Sequence, residues 1–406
     1  MTVAQLDVVV VGAGVGGLAA AMLLARAGAS VSLLERATAP SGVGAGILLQ
    51  PNGLAVLAGL GLADRLEHAG HRIGATTVHG RGRSPIARLA VPDFGPGLDH
   101  VLAVRRGLLH EVLLAAVADA PGIDFRAGAT VHAAATDGSV DLEWLDRHST
   151  IAADLVVGAD GIGSTVRDCG AFGVRDRPAR PATVSYLRGL VPRRGTEIEG
   201  EHWTALGLFG GAPVDASTCY FYGSAAARPV AAAIAAGDLA ACRAAWGRVL
   251  PVAGELLGRL PGFGGLLVDR VERVDCVRWH DGRLVLLGDA AHTMAPTLGQ
   301  GANSALVDAA VLTAELLATG SLPDALDRYG RRRRAKVAAV QDRADRLARL
   351  SGLTSPVLRG VRDVGMRALA GRPGPAARLV RAAQQEDPAS LAALVAGICD
   401  AGRQRS

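Results

Sequence analysis

The sequence is poor in aromatic residues and contains no long basic tract. Phe, Trp and Tyr together make up 3% of the 406 residues. A groove for single-stranded nucleic acid needs aromatic rings among basic side chains, so we expect no nucleic-acid partner despite the net charge of +5. The strongest basic run, Arg331–Arg334, lies in a helical pattern and is interpreted as a solvated helix face.

Cysteine is also scarce, and long apolar runs are missing. The five cysteines are odd in number, scattered and never spaced as C-x-x-C, which favours free thiols in a reducing cytoplasm. The first apolar stretch has no charged segment before it and is broken by Asp7 and by glycines. It falls short of the roughly 20 residues that span a bilayer. We therefore expect a cytoplasmic protein without a membrane span, and we assign no metal ligands.

Glycine, in contrast, is abundant, and its first cluster has the pattern of a dinucleotide-binding turn. A Val-rich strand over Leu6–Val11 leads into Gly12, Gly14 and Gly17, and a helical pattern follows. In this motif the glycines permit a tight turn, a close approach of the backbone to a pyrophosphate, and close helix–strand packing. Glu35, followed by Arg36, ends the next strand, where a carboxylate binds a ribose diol.

Two further glycine motifs follow, each after a short apolar strand. The second motif is Asp160-Gly161, which puts a carboxylate at a strand end. The third opens with Gly288-Asp289 and continues into a glycine loop ahead of a helix, where N–H groups and the helix dipole can meet negative charge on a bound ring. The residues of that loop assigned to cofactor binding are Pro296, Gly299, Gln300, Gly301, Ala302 and Asn303.

Taken together, the three motifs resemble the group A flavoprotein monooxygenases, the family of 4-hydroxybenzoate hydroxylase and salicylate hydroxylase. The resemblance covers roughly residues 5–345. It includes a substrate-side loop, Gly44-Ala-Gly46-Ile47 with Pro51-Asn52, and an R-x-x-L-H helix start at Arg106. The resemblance implies that Arg106 holds the pyrophosphate or ribose region of FAD, that Asp160 lies in the turn serving FAD and nicotinamide, and that Asp289 binds the ribityl chain.

Pattern and resemblance predict an α/β fold: a Rossmann-like, GR2-type FAD-binding domain, an interleaved β-sheet substrate domain and a short C-terminal helical segment. The predicted FAD-binding domain comprises residues 1–75, 100–174 and 281–345. Residues 76–99 and 175–280 are assigned to the substrate domain, and residues 346–406 to the helical segment.

The chemistry implied by the family is monooxygenation. A single complete fingerprint leaves NAD(P)H to bind transiently and reduce FAD, after which O2 forms a flavin C4a-hydroperoxide that hydroxylates an aromatic or polycyclic small molecule. Epoxidation, Baeyer–Villiger oxygenation and an oxygen-independent reductase stay open. The W-x-W-x-I-P signature of halogenases is missing, and the intact Gly288-Asp289 motif disfavours a non-catalytic binding module. A monomer or homodimer is expected.

Aromatic residues in the predicted substrate sheet are the candidates for a substrate pocket. Tyr220 and Tyr222 alternate, which puts both on one face of a strand. Core packing is the alternative for each aromatic residue. No catalytic base is assigned, and His292 is expected to support the backbone. The pocket candidates are Gly46, Tyr186, Phe209, Tyr220, Tyr222 and Pro296.

Overall fold

The computed structural model describes residues 3–39, 45–81, 85–174, 184–195, 198, 200–370 and 374–403. Gly44 of the predicted substrate-side loop lies outside these residues, as do the first nine residues of the second predicted substrate segment, 175–183.

The strands of the described residues are, in chain order, β1 (Asp7–Val11), β2 (Ser30–Glu35), β3 (Gly46–Leu49), β4 (His71–Ile73), β5 (Ala75–His79), β6 (Pro85–Ala90), β7 (Val101–Arg105), β8 (Ile123–Ala127), β9 (Thr130–Ala134), β10 (Ser139–Trp144), β11 (Arg147–Ala152), β12 (Leu155–Gly158), β13 (Val184–Pro192), β14 (Gly200–Thr204), β15 (Gly207–Pro213), β16 (Thr218–Ser224), β17 (Leu267–Val271), β18 (His280–Asp281) and β19 (Leu284–Leu286).

The helices of the same residues are α1 (Val15–Arg26), α2 (Pro51–Gly59), α3 (Ala63–Ala69), α4 (Arg106–Ala118), α5 (Thr165–Cys169), α6 (Arg228–Ala235), α7 (Leu239–Val249), α8 (Pro251–Leu257), α9 (Asp289–His292), α10 (Gly301–Ala318), α11 (Leu322–Ser351), α12 (Pro356–Ala370), α13 (Pro375–Ala383) and α14 (Pro388–Arg403).

The first sheet is six-stranded, in the order β18-β19-β12-β1-β2-β8. Its strands from β19 to β8 are parallel, and β18 pairs antiparallel at the edge. Val8–Val11 are all buried, as expected for a strand covered on both faces. The predicted strand–turn–helix–strand unit is confirmed, and α1 begins at Val15, so Gly17 of the motif lies in its first turn.

Two further helix boundaries are set locally. Strand β7 ends at Arg105, and α4 begins at Arg106. An alanine-rich stretch forms two helices, α6 and α7, separated by Gly237 with a positive φ. Asp238 caps α7 by accepting a hydrogen bond from Ala241 N, which starts a new helix at that point.

The second sheet is seven-stranded and is built from two separated stretches of the chain, in the order β17-β13-β16-β15-β14-β5-β6. One face packs against α6, α7 and α8 through a core that includes Phe221 and Trp246. The opposite face turns toward a three-stranded sheet, β3-β7-β4. The predicted fold class is therefore confirmed: an α/β cofactor-binding domain with an interleaved sheet.

The C-terminal helical segment is present and packs into the body of the protein. Leu391, Val395 and Ile398 of α14 are buried in the same core as β1 and α1. A Cβ built on Gly59 at the end of α2 would lie 2.4 Å from Val395 Cγ1, which shows how closely α14 and α2 approach. The segment therefore supports the first domain and is not a loose appendage.

Among the residues that the structure describes, one helix, Gly301–Ala318, is long and apolar enough to cross a membrane by length and composition alone. However, 72% of that stretch is buried inside the protein. A Cβ built on Gly16 of α1 would lie 2.9 Å from Ala305 Cβ, so α1 packs tightly on this helix. These contacts identify α10 as the central core helix.

The interpretation of Arg331–Arg334 as a solvated face is wrong for part of the run. Arg333 is fully buried, and Arg332 bonds to Glu315 and Glu386. Arg331, by contrast, is exposed and forms only a surface pair with Asp327 at 3.8 Å. Four consecutive arginines point in different directions around α11, so a single run supplies both buried and solvated charges.

Candidate active site

The three glycine motifs meet at one edge of the first sheet. They follow the carboxyl ends of β1, β12 and β19, and β12 lies between the other two strands. A Cβ built on Gly12 would lie 2.6 Å from Ala159 O, so the first and second motifs touch. Arg167 Nη1 donates to Ala290 O at 3.0 Å, which ties the second motif to the third. Open α/β sheets bind ligands at this edge.

In the first motif, two glycines are required by the fold and one faces open space. Gly12 has φ +99°, and a Cβ on Gly17 would lie 1.9 Å from Gly12 O. A Cβ on Gly14 would meet nothing within 4 Å. Gly14 is also the N-cap of α1 and provides no side-chain cap. The first N–H groups of α1 therefore face a space suited to phosphate oxygens.

Glu35 is positioned by the first motif itself. Its Oε2 accepts a hydrogen bond from Ala13 N at 2.7 Å, and its Oε1 accepts one from Ala37 N at 2.8 Å. Each oxygen of a carboxylate can accept a second bond, so Glu35 keeps acceptor capacity for a diol. Arg36, the next residue, is exposed.

Asp160 caps the turn that follows β12. Its carboxylate accepts hydrogen bonds from Ser164 Oγ at 2.5 Å and from Val166 N at 3.2 Å. Burial raises the pKa of Asp160, and these hydrogen bonds oppose that rise. The Asp160 side chain thus holds the start of α5 and fixes the turn that follows β12.

Asp289 in the third motif has a different environment. It is exposed, and no described residue donates a hydrogen bond to its carboxylate. The position of a Cβ on Gly301 is 4.0 Å from Asp289 Oδ1, so the start of α10 lies beside it. Surrounding protein raises the pKa of Asp289, while His292 and Arg106 lower it. A solvent-accessible carboxylate to which no described residue donates a hydrogen bond is available to bind a ligand.

The loop before α10 is fixed by Asn303. Its Oδ1 accepts from Gln50 N at 3.0 Å, and its Nδ2 donates to Leu48 O at 2.9 Å and to Gly299 O at 2.6 Å. Gly299 adopts the left-handed conformation with φ +61°. Asn303 is fully buried, and its side chain holds this loop against the β3–α2 connection.

The remaining residues predicted in this loop divide between the cleft and the interior. Gln300 is fully buried and accepts from Asn52 Nδ2 at 3.0 Å. Pro296 is exposed at the start of a 3-10 turn over Pro296–Leu298, and Ala302 is partly exposed in the first turn of α10. The side chains of Gln300 and Asn303 are both buried and hydrogen-bonded within the protein, so their assignment to cofactor binding stays a prediction about the loop they hold.

A buried ionic cluster behind the third motif was not foreseen. Asp308 on α10 accepts from Gly288 N at 3.0 Å, from Arg333 Nε at 2.7 Å, and pairs with His292 Nε2 at 2.5 Å. Both carboxylate oxygens of Asp308 are fully buried with their partners. The expected supporting role of His292 agrees with this geometry. The sequence did contain one signal for the burial of Arg333. It follows Tyr329 at the i+4 position, so both lie on one helix face, and the Tyr329 hydroxyl donates to Leu286 O in the interior.

The inner face of the second sheet carries three of the predicted pocket residues. Tyr220 and Tyr222 lie on it with ring centroids 5.5 Å apart, as their alternation predicted. Tyr222 Oη donates to Glu201 Oε1 at 3.1 Å, and Trp203 Nε1 donates to Glu201 Oε2 at 3.0 Å. Burial raises the pKa of both Glu201 and Tyr222. This face thus offers a neutral phenol backed by a carboxylate.

Gly46 and Tyr186 lie at opposite ends of this face. A Cβ on Gly46 would lie 2.3 Å from Tyr220 Cγ, so strand β3 rests directly on that ring. Tyr186 is 3% exposed and belongs to a cluster with Trp203 that packs against Met366 of α12. Tyr186 is therefore covered by the C-terminal segment, whereas Tyr222 is partly exposed.

Phe209 lies on the opposite face of the second sheet from Tyr220 and Tyr222. It pairs with Gly223, between Tyr222 and Ser224, and therefore points away from both neighbours. Its ring is fully buried, 5.7 Å from Phe221 and 4.9 Å from Trp246. The prediction for Phe209 is corrected, and the core-packing alternative holds for this residue.

The C-terminal segment reaches the same loops through Gln384 and Gln385, and the next residue, Glu386, contacts α11. Gln384 Oε1 accepts from Asn52 N at 3.0 Å, and Gln385 Nε2 donates to Gln300 Oε1 at 3.2 Å. Gln385 adopts a positive φ of 67°, uncommon for a residue with a side chain. Glu386 accepts from Lys336 Nζ at 2.8 Å. The connection before α14 therefore braces the back of the glycine loop.

Comparison with known proteins agrees with this arrangement. The FAD binding domain family model matches residues 5–183 and 270–344. A 2-heptyl-3-hydroxy-4(1H)-quinolone synthase from Mycobacteroides abscessus is 31% identical over 86% of this chain and 92% of its own. A 3-amino-4-hydroxybenzoate 2-monooxygenase from Streptomyces cremeus is 34% identical over 85% of this chain and 87% of its own.

A solved structure shares the fold at lower identity. HpxO from Klebsiella pneumoniae, complexed with FAD and uric acid, superposes with a TM-score of 0.76 at 23% identity. The alignment covers 98% of this chain and 97% of that chain. The chain belongs to the FAD-binding-domain family of group A flavoprotein monooxygenases, and it is an FAD-dependent monooxygenase.

The residues present fit FAD. The uncapped start of α1 beside Gly14 suits the pyrophosphate, and Glu35 retains acceptor capacity at one end of the edge. Asp289 offers a free carboxylate at the other end, next to Gly301. Charge and hydrogen-bonding capacity therefore match a dinucleotide along the whole edge.

Proposed function

We propose that this monooxygenase hydroxylates a planar, neutral aromatic molecule between the β3 strand and the inner face of the second sheet, with NAD(P)H as the electron donor. When bound, reduced FAD supplies the activation of O2 that such a transfer requires. The observation that carries the proposal is the hydrogen-bonded Tyr222–Glu201 pair. It lies on the same sheet face as Tyr220, and strand β3 rests on the Tyr220 ring at Gly46.

The protein's part in this reaction is to hold the substrate and keep water out. Burial raises the pKa of Tyr222, so its hydroxyl stays protonated, and its oxygen can accept a hydrogen bond from a substrate N–H or hydroxyl group. Glu201 accepts the Tyr222 proton in a hydrogen bond and fixes the orientation of that hydroxyl. Tyr220 offers an aromatic surface beside it.

Charge on this face favours a neutral substrate over a carboxylate. Within the described strands, the cation on the inner face is Arg188, and its guanidinium donates twice to Asp269 Oδ2, at 2.8 and 2.5 Å. A benzoate would compete with Asp269 for that charge. An alkylquinolone, of the kind named for the Mycobacteroides relative, needs no cation.

A turnover assay tests the proposal. 2-Heptyl-4(1H)-quinolone and 3-amino-4-hydroxybenzoate are compared as probes, with NADH and NADPH, by oxygen uptake and product mass. We expect the quinolone to stimulate oxygen uptake and to gain one oxygen atom, and the benzoate to do neither. Stimulation by the benzoate alone would contradict the neutral-substrate proposal while leaving the monooxygenase class intact.

A pair of variants then locates the pocket. Loss of one hydrogen bond by Tyr222→Phe is expected to lower kcat/KM by roughly tenfold. Phe209→Leu is the matched control, because it alters the opposite face and should leave KM unchanged. Equal effects of both variants on KM would place the substrate elsewhere.

We further propose that the enzyme acts in the cytoplasm as a monomer or homodimer.

A further inference from the structure

A cluster of two histidines and one glutamate lies outside the active site, on the three-stranded sheet β11-β10-β9. His132, Glu143 and His148 come one from each strand, and their ligand atoms all lie within 4.8 Å of one another. We propose that these three side chains bind a divalent transition-metal ion of the Zn²⁺, Ni²⁺ or Cu²⁺ class.

The backbone places two of the ligands opposite each other. Glu143 and His148 are direct partners in the antiparallel β10–β11 ladder, where Cβ atoms are about 5 Å apart. Glu143 Oε2 lies 3.6 Å from His148 Nε2. The hydrogen-bonded β10–β11 ladder therefore holds Glu143 and His148 next to each other without a bound ion.

A bulge brings in the third ligand. Leu142 pairs with Val131 and Asp141 with Ala133, so His132 is the extra residue of β9 at a register shift. A bulge re-aims a side chain relative to the regular alternation. As a result His132 Nε2 lies 3.4 Å from Glu143 Oε2, and its ring stacks on that of His148 with centroids 5.5 Å apart.

The two distances to Glu143 match metal ligands better than they match hydrogen bonds, and the third pair, His132 and His148, lies within 4.8 Å. Neither contact to Glu143 is within ordinary hydrogen-bond range, at 3.4 and 3.6 Å. Two ligand atoms bound tetrahedrally to one ion at about 2.1 Å are ~3.4 Å apart. Two imidazoles and one carboxylate also form a donor set that Zn²⁺ accepts, with water completing the shell.

Calorimetric titration of the FAD-loaded protein with ZnCl2 and with NiCl2 tests the proposal. We expect one-to-one binding that is lost in His148→Ala and in Glu143→Gln, with the bound FAD content unchanged as the check on folding. His68→Ala, which removes an exposed histidine of α3, is the matched control and should bind like the parent.

A spectroscopic measurement identifies the ligands. Cu²⁺ bound to the protein should show nitrogen hyperfine coupling in its electron paramagnetic resonance spectrum, and His132→Ala should reduce the number of coupled nitrogens. Cys169 is an exposed thiol next to β9, since Ala134 N donates to its Sγ. Binding that survives His148→Ala and Glu143→Gln but vanishes in Cys169→Ser would overturn the proposal, as would no binding at all.

Discussion

Asp308 on α10 accepts a hydrogen bond from Arg333 Nε on α11 at 2.7 Å, and both side chains are fully buried. The same carboxylate holds Gly288 N and His292, so the ion pair anchors the strand end that presents Asp289. The strand end that presents Asp289 is therefore supported by a residue of an arginine run that looks solvent-facing in the sequence.

Breaking this pair from one side should be costly. Asp308→Asn removes the carboxylate nearest to the buried Arg333 guanidinium and leaves only the longer contact to Glu386 at 3.9 Å. It is expected to lower the free energy of unfolding by about 3 kcal/mol. The double variant Asp308→Asn/Arg333→Met should recover part of the loss, as a double-mutant cycle by urea unfolding would measure. Arg331→Met, at an exposed position, is the control. Additive losses in the double variant would show that the two residues do not interact.

The same pair gives stability a defined pH dependence. His292 and Arg333 hold the pKa of Asp308 down to about 2, although burial alone would raise it. A carboxyl whose pKa is lower in the folded state stabilises the protein above its unfolded pKa, about 4, and loses that contribution as pH falls toward 2. Unfolding measured from pH 7 to pH 2 should therefore show the difference between parent and Asp308→Asn narrowing below about pH 4. A constant difference would contradict this assignment.

Alanine substitution of two glycines in the first motif should have different effects, one on FAD affinity and the other on stability. Gly14→Ala adds a methyl group where nothing lies within 4 Å, so the apoprotein should keep its stability while FAD binds more weakly. Gly17→Ala puts a Cβ 1.9 Å from Gly12 O and should destabilise the fold itself. Thermal unfolding without FAD, followed by flavin titration, separates the two effects. Unimpaired flavin binding by Gly14→Ala would move the pyrophosphate away from this turn.

Asp289 should contribute to cofactor affinity and little to folding. Because no described residue donates to its carboxylate, Asp289→Ala is expected to lower the FAD content of the purified protein without lowering the stability of the apoprotein. Asp64→Ala, at an exposed position on α3, serves as the control. Full flavin occupancy in Asp289→Ala would show that this carboxylate does not contact the cofactor.

The parts of the site that sequence could predict are local ones. Gly12, Gly14 and Gly17 lie at the junction of a strand and a helix, and their spacing identifies the turn in the sequence. Tyr220 and Tyr222 share a face because residues two apart in a strand always do. Such features depend on residues close together in the chain, so they can be recognised in the sequence without knowledge of the tertiary structure.

The parts that could not be predicted depend on partners far along the chain. Phe209 lies opposite Gly223, and that register follows from strand pairing and not from either strand alone. Arg333 is buried only because Asp308 faces it across two packed helices. Likewise, Gln385 reaches Gln300 only once α14 has docked.

The central claim is that the three glycine motifs together hold one FAD for oxygen activation. Visible absorption of the purified or FAD-reconstituted protein, followed under anaerobic NADH and NADPH and then on admitting air, tests it most directly. We expect a stoichiometric flavin spectrum that bleaches with a nicotinamide and returns with oxygen, and bleaches faster when the substrate is present. A protein that stays colourless after reconstitution with FAD would contradict the claim.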